Sequence, residues 1–247
     1  MNRGLIIFAR EPVPGRVKTR LAGAMGHLAA AELYAAMLAD VLEQAASIPG
    51  IRPLLFWDCA GASIPACPAL PPMESFEQAG ATLGRRMADA FGRAFGLGCE
   101  VCCIIGSDSP DLPLEYIRQA FELLERDRSD AVFGPADDGG YYLLGLRRTW
   151  TELFEDIAWG TPQVLAASLE LAHGLGLRTE LLPSWYDIDT LDDLARLLDS
   201  PGTNAPRTRG AAAGLLKHGA APFAPTPLSA RTVKLPPDQG NQPCHRS

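Results

Sequence analysis

Long apolar runs are missing from this chain. The longest are strand-sized, and Leu5 to Ala9 is too short for a signal-peptide core or a membrane span. The sequence therefore predicts a cytoplasmic protein with no membrane partner. Histidine is scarce: His27, His173, His218 and His245 all lie outside the motifs described below, which argues against zinc or haem chemistry. A Ser-His-Asp hydrolase lacks its G-x-S-x-G. The Walker frame G-x-x-x-x-G-K-[ST] is absent, and no G-x-G-x-x-G follows a strand. Six cysteines are present, but not in a metal pattern. Cys99 and Cys102 form a C-x-x-C, yet Cys102 and Cys103 belong to an apolar run, and Cys59 and Cys67 are too far apart to complete a zinc site. The expectation is free thiols packed in a core.

Positive charge is also short over most of the length. The net charge is −7, but residues 201–247 carry six Lys or Arg against one Asp. That leaves 16 cations and 28 anions, a net −12, for residues 1–200. Such a body repels nucleic acid and anionic membranes, so neither is an expected partner. It also makes any local group of cations informative.

What is present is an alternation of strand and helix. Leu5 to Ala9 and Val101 to Ile105 are apolar without alternation, as strands buried on both faces of a parallel sheet read. Pro53 to Trp57 and Thr179 to Leu182 supply further strands. Helices are predicted over residues 28–47, 81–95, 114–124, 162–173 and 191–198, with Leu83, Met87, Phe91 and Phe95 along one face of the second. Two short apolar runs, 131–135 and 141–146, flank Asp137-Asp138-Gly139-Gly140, a composition that favours a tight hairpin. Residues 60–73, rich in Pro and Ala, read as an irregular connection. The expected architecture is a single α/β domain over residues 1–200, a mixed, mainly parallel sheet flanked by helices. Eight of the 21 prolines fall in the last 47 residues, and residues 201–247 read as a mostly disordered tail.

Four segments could carry chemistry. After the first strand, Arg10, Arg16, Lys18 and Arg20 surround Gly15 in an otherwise acidic body. Arg suits bidentate phosphate contacts, Lys supplies a point charge, and a following helix adds backbone N–H groups; a solvated, Pro-stiffened loop is the plainer alternative. Asp108 leaves the strand Val101 to Ile105 where an open α/β sheet holds its ligand. A carboxylate there can hold Mg²⁺ or Mn²⁺ against a diphosphate, whereas Asp111 reads as a cap for the helix after Pro113. In the hairpin, Asp137 and Asp138 suit acceptor binding or deprotonation, and Gly139 and Gly140 let a ligand approach, although a turn alone would need the same residues. At the expected end of the last strand, Asp187 and Asp189 alternate about Ile188 and point the same way, as two ligands or a ligand and its support would. Thr190 to Asp193 resembles a capping box.

Together, Phe8 to Arg10 with Pro14 to Leu21, Gly106 to Leu112, Gly134 to Tyr141, Trp159 to Thr161 and Asp187 to Thr190 resemble the DUF2064 family of bacterial glycosyltransferase-like proteins, a group that includes arsenosugar-biosynthesis glycosyltransferases. The resemblance covers residues 4 to about 198. It implies the nucleotide-diphospho-sugar transferase fold, called GT-A. It further implies metal binding by Asp108 with help from Asp189, and a grip on nucleotide and phosphates by Arg10, Gly15, Arg16, Lys18 and Arg20. Tyr141 and Trp159 join the glycines on the acceptor or sugar side. Ser107-Asp108-Ser109 carries one carboxylate where a full D-x-D carries two. The resulting expectation is a Mg²⁺- or Mn²⁺-dependent glycosyltransferase using a nucleotide-diphospho-sugar and a small-molecule acceptor. Its alternative is a nucleotidyltransferase that joins an NTP to a phosphorylated small molecule and releases pyrophosphate.

Overall fold

The apolar run at Leu5 to Ala9 becomes the middle of β1 (Arg3–Arg10), whose Leu5, Ile6 and Ile7 are completely buried. A strand with both faces covered has no polar face to show, which is why alternation is absent. In this computed structural model, which describes residues 1–59, 64, 73–126 and 128–217, β1 is a central strand of a seven-stranded sheet. The others are β2 (Ile51–Asp58), β3 (Glu74–Glu77), β4 (Val101–Ile105), β5 (Ala131–Pro135), β6 (Tyr141–Leu146) and β7 (Thr179–Leu181), in the order β3-β2-β1-β4-β6-β5-β7. All pairings are parallel except those of β6, which runs antiparallel to β4 and β5. The mixed, mainly parallel α/β architecture and the hairpin are therefore as expected.

Helices cover both faces. Leu38, Val41, Leu42 and Ala45 of α2 (His27–Ser47) and Ile117, Phe121 and Leu124 of α4 (Leu114–Glu125) pack on the side of Leu5, Ile7, Trp57 and Cys103. Met87, Ala90 and Phe91 of α3 (Leu83–Gly96) and Ala172 of α5 (Val164–Gly174) pack on the side of Ile6, Phe56, Cys102 and Phe133. Of the cysteines, Cys59, Cys99, Cys102 and Cys103 are free and buried, as expected; burial pushes the thiols of Cys102 and Cys103 well above the ordinary cysteine range.

A third cluster lies beside the sheet. Leu21 of α1 (Thr19–Met25), Leu33 and Met37 of α2, and Leu194 and Leu197 of α6 (Leu191–Asp199) surround Tyr186 and Ile188. Ala212 completes it from a helix the sequence did not announce, α7 (Pro206–Lys217). This corrects the expected disorder over residues 206–217. The physical reason is Asp40 in α2: 1% exposed, it accepts from the N–H groups of Arg207 and Thr208 at 3.2 and 2.8 Å and from Thr208 Oγ1 at 2.7 Å. A distant carboxylate thus satisfies the opening turn of a helix whose own composition offers no cap. Residues 218–247, and most of the connection expected at 60–73, lie outside the described residues.

One strand was not expected, and two smaller expectations change. The strand β3, with one partly buried aromatic between acidic residues, gave no apolar run to read. The last strand ends at Leu181, so Asp187 and Asp189 sit on an extended segment beyond the sheet, where only Trp185 bridges to Ala136. Asp111 does not cap α4, whose first turn follows Pro113 without a side-chain cap; its 5%-exposed carboxylate instead accepts from Tyr186 Oη at 2.7 Å and Trp185 Nε1 at 3.3 Å.

Candidate active site at the switch point of the sheet

From β1 the chain builds outward through β2 and β3, then returns to place β4 on the other side of β1. The chain thus leaves β1 toward one end of the sheet and β4 toward the other, and the crevice outside the carboxyl ends of the strands at such a reversal of strand order is where open α/β sheets bind ligands. Residues 11–18 enter this crevice from β1 and Gly106 to Pro113 from β4.

Lys18 is the hub. Its side chain is 3% exposed, and its ammonium lies 2.5 Å from Asp108 Oδ1 and 2.9 Å from Asp189 Oδ1, while those two side chains are 49% and 43% exposed. Burial alone would lower the lysine's pKa, but the charges of Asp108 and Asp189 outweigh it and hold the group above its ordinary value. Lys18 also has φ 46° and ψ 46°, a left-handed conformation at the N-cap of α1 that a side chain adopts only when its surroundings enforce it.

Several contacts fix this arrangement. Tyr34 Oη on α2 accepts from the Arg10 N–H at 2.9 Å and hydrogen-bonds with Ser107 Oγ at 2.8 Å, tying the ends of β1 and β4 together. Burial, then the charge of Asp108, raises the phenol's pKa, so it stays neutral. The Ile188 N–H donates to the Asp108 carbonyl at 2.9 Å, which seats the segment carrying Asp187 and Asp189 on the β4 loop. Ile188 itself is fully buried, so its two flanking carboxylates turn toward the crevice, as their alternation implied. Asp187 accepts from Ser109 Oγ at 2.6 Å; burial lifts its pKa to about 6 and the charge of Asp108 adds to this, against the lowering effect of Ser109. The expected capping box is present, with Thr190 and Asp193 exchanging hydrogen bonds at the start of α6.

The remaining expected residues divide into three groups. Arg20 reaches Asp189 at 3.7 Å. Arg10 turns the other way, 3.5 Å from Asp58 at the end of β2, while Arg16 stands exposed on a turn whose Gly15 takes φ 83°. In the hairpin, Asp137 pairs with Arg196 of α6 at 2.8 Å, and Arg196 stacks on Tyr186 with its guanidinium carbon 3.9 Å from the ring centroid. Asp138 is exposed and accepts from the Gly140 N–H at 2.9 Å, and its charge is felt by Asp187.

Gly139, Tyr141 and Trp159 have a different use from the one expected. A Cβ on Gly139 would lie 2.1 Å from the Pro162 carbonyl oxygen, so the close approach that this glycine permits is to the chain itself. Tyr141 packs edge-on between Phe133 and Trp159, at 5.5 and 6.4 Å between centroids. Its hydroxyl faces the Met87 sulfur at 3.9 Å, inside the core rather than toward an acceptor. Trp159 covers Gly84 at the start of α3, where a Cβ would come within 2.9 Å of its ring.

Among the described residues no three His, Cys, Asp or Glu side chains form a ready-made metal cage. Mg²⁺ does not need one, since it commonly takes one or two carboxylates and completes its shell with water and substrate phosphates. Asp108 and Asp189, which share the Lys18 ammonium, are the two carboxylates that could supply such a donor set.

The DUF2064 family, described as an uncharacterized protein conserved in bacteria, matches residues 41–161. A protein from Desulfovibrio desulfuricans G20, which carries the provisional name nucleotide-diphospho-sugar transferase, is 30% identical; the alignment covers 88% of this chain and 98% of that one, with a TM-score of 0.77. This chain belongs to the DUF2064 family. Its fold is that of the nucleotide-diphospho-sugar transferases. A likeness of fold alone extends to 4-diphosphocytidyl-2C-methyl-D-erythritol synthase, 10% identical over 80% of this chain and 97% of that one, at a TM-score of 0.50. None of the curated proteins matches.

Sequence reasoning missed several residues around this crevice of the DUF2064 protein. Arg86 of α3 lies 3.0 Å from Asp58, making with Arg10 a second group of cations around one carboxylate. Gln78 donates to the carbonyls of Phe56 and Ala9 at 3.0 and 3.4 Å, pinning the end of β3 beside that group. Tyr34 and Ser109 carry the loop-to-loop contacts described above. Arg86 falls in the first turn of a helix and Tyr34 on an apolar stripe, so neither position gave a local signal.

Proposed function

We propose that this DUF2064 protein transfers a sugar from a nucleotide-diphospho-sugar to a small-molecule acceptor, with Mg²⁺ or Mn²⁺ bound by Asp108 and Asp189. The observation that carries this reading is the buried, left-handed Lys18, whose ammonium is shared by two carboxylates at the topological switch point. The 30% identity to the D. desulfuricans protein supports it.

Each residue then has a task. Lys18, Arg16 and Arg20 meet the negative charge of the diphosphate, an electrostatic role that gains strength where water is excluded. Asp108 and Asp189 hold the cation, which when bound neutralises charge building on the leaving diphosphate. Ser109 keeps Asp187 oriented beneath them at 2.6 Å. Of the two hairpin carboxylates, Asp138 is the better placed to take the acceptor proton, because Asp137 is held by Arg196 at 2.8 Å and Asp138 lies within electrostatic reach of Asp187.

A thermal-shift panel of nucleotides and nucleotide-diphospho-sugars, run with and without Mn²⁺, tests the proposal. At least one nucleotide-diphospho-sugar should raise the melting temperature, and more so with Mn²⁺, because a ligand bound only to the native state stabilises it. Silence from every nucleotide sinks the proposal. Product analysis then separates the two chemistries: a nucleoside diphosphate accompanies glycosyl transfer, whereas pyrophosphate released from an NTP replaces this reading with nucleotidyl transfer.

A further inference from the structure

We infer that Lys18 is an exchangeable cation. In the ligand-free protein its ammonium holds Asp108 and Asp189 together; when a divalent cation takes those carboxylates, Lys18 transfers its contacts to the bound diphosphate. The inference rests on the reading of this crevice as a metal and diphosphate site.

Three features support exchange over a permanent ion pair. The two carboxylates are 49% and 43% exposed while the lysine between them is 3% exposed, so the open side of the site belongs to the anions. An ammonium has three donors, and the carboxylates account for two. The third has no partner among the described residues and is available to a phosphate oxygen. Lys18 is also held at φ 46° by its surroundings, so rearrangement around it need not preserve a relaxed backbone.

Charge explains why the two ligands must arrive together. A divalent cation entering while the ammonium remains would place two cations on the same carboxylate oxygens, which is strongly repulsive at such distances. A diphosphate supplies the anionic oxygens that draw Lys18 away. Metal and diphosphate should therefore bind cooperatively, each strengthening the other by the same factor.

The chain has three lysines, Lys18, Lys217 and Lys234, so side-chain ammonium NMR of [¹⁵N]lysine-labelled protein can follow Lys18 directly. With inorganic pyrophosphate as the probe, the resonance that is slow to exchange in the free protein should stay in place with Mg²⁺ alone. It should move when Mg²⁺ and pyrophosphate are added together. Calorimetry should show Mg²⁺ binding at least about tenfold more tightly with pyrophosphate than without. In Lys18→Met, Mg²⁺ alone should bind at least about tenfold more tightly than to the wild type, because the competing ammonium is gone. A Lys18 resonance that does not move while calorimetry shows both ligands bound overturns the exchange but leaves the metal and diphosphate site standing. Failure of Mg²⁺ and pyrophosphate to bind at all removes the site and this inference with it. The NMR experiment uses the wild type, so it decides the matter even if Lys18→Met does not fold.

Discussion

At the amino edge of the sheet, Arg3 forks onto Glu125 at 2.7 and 2.6 Å, and Arg52 onto Glu74 at 2.7 and 2.8 Å. At the carboxyl edge, one ammonium is divided between Asp108 and Asp189, Arg20 reaches the latter only at 3.7 Å, and Arg16 stands exposed. In the first pattern each carboxylate is matched by one guanidinium, tying β1 to the end of α4 and β2 to β3. The second leaves donor and acceptor capacity unspent, and holds it in place with a strained backbone and a buried tyrosine. Similar sets of charged residues can therefore form closed pairs or an arrangement with capacity to spare. The difference lies in whether partners match one to one.

Substitutions at the two edges should separate these roles. The largest effect is expected at Asp108: Asp108→Ala should lower turnover of whichever nucleotide-diphospho-sugar the wild type accepts by at least about 100-fold, with the melting curve still cooperative. Full activity of that variant with Mg²⁺ or Mn²⁺, measured in a steady-state assay, would break the assignment of this edge as catalytic.

Asp187 should reveal itself through pH. Its carboxyl titrates near pH 6 in the folded, metal-free protein against an ordinary 3.8. Between those values the native state keeps a proton that the unfolded chain has released, so stability should fall as pH rises through the window. The total change is about 3 kcal/mol. Denaturant titrations from pH 4 to 7 should show this slope in the wild type and lose it in Asp187→Asn.

Away from both edges, Asp40 is a buried charge with a purely structural use, and its removal should register as stability alone. Asp40→Ala leaves the opening N–H groups of α7 without their acceptor and should cost about 2 kcal/mol, read as a shift in denaturation midpoint. The smallest effect belongs to the amino edge. Glu125→Gln should cost about 1 kcal/mol and leave the Mg²⁺ and pyrophosphate response unchanged, since the amide keeps one acceptor for the partly buried Arg3 and only the charge is lost. A marked loss of ligand binding in this variant would erase the contrast between the edges.

Much of the fold could be read from local pattern. Strands β1 and β4 announced themselves as unbroken apolar runs, and the hairpin through Gly and Asp at its turn. The capping box at Thr190 was likewise visible from spacing. Legibility failed where the cause was remote. The helix α7 is rich in Ala, Gly and Arg and carries no cap of its own; its acceptor, Asp40, lies 167 and 168 residues away in the sequence. Tyr141 and Trp159 looked like ligand contacts because they flank glycines and carboxylates, but their rings are spent on Phe133, Met87 and the start of α3. An aromatic residue next to a motif carries no mark of which side of the sheet it will face.

The amino-acid sequence by itself determined which segments must be buried on both faces, and which loops would bear cations or carboxylates. Those are local matters of hydropathy, spacing and turn chemistry. Tertiary structure alone decided that Lys18 and Asp189, 171 residues apart, would meet within 2.9 Å, and that Tyr141 would not join them. The reason is topological: β1 and β4 lie side by side while their connections diverge, and the crevice this opens belongs to the order of strands rather than to any one of them.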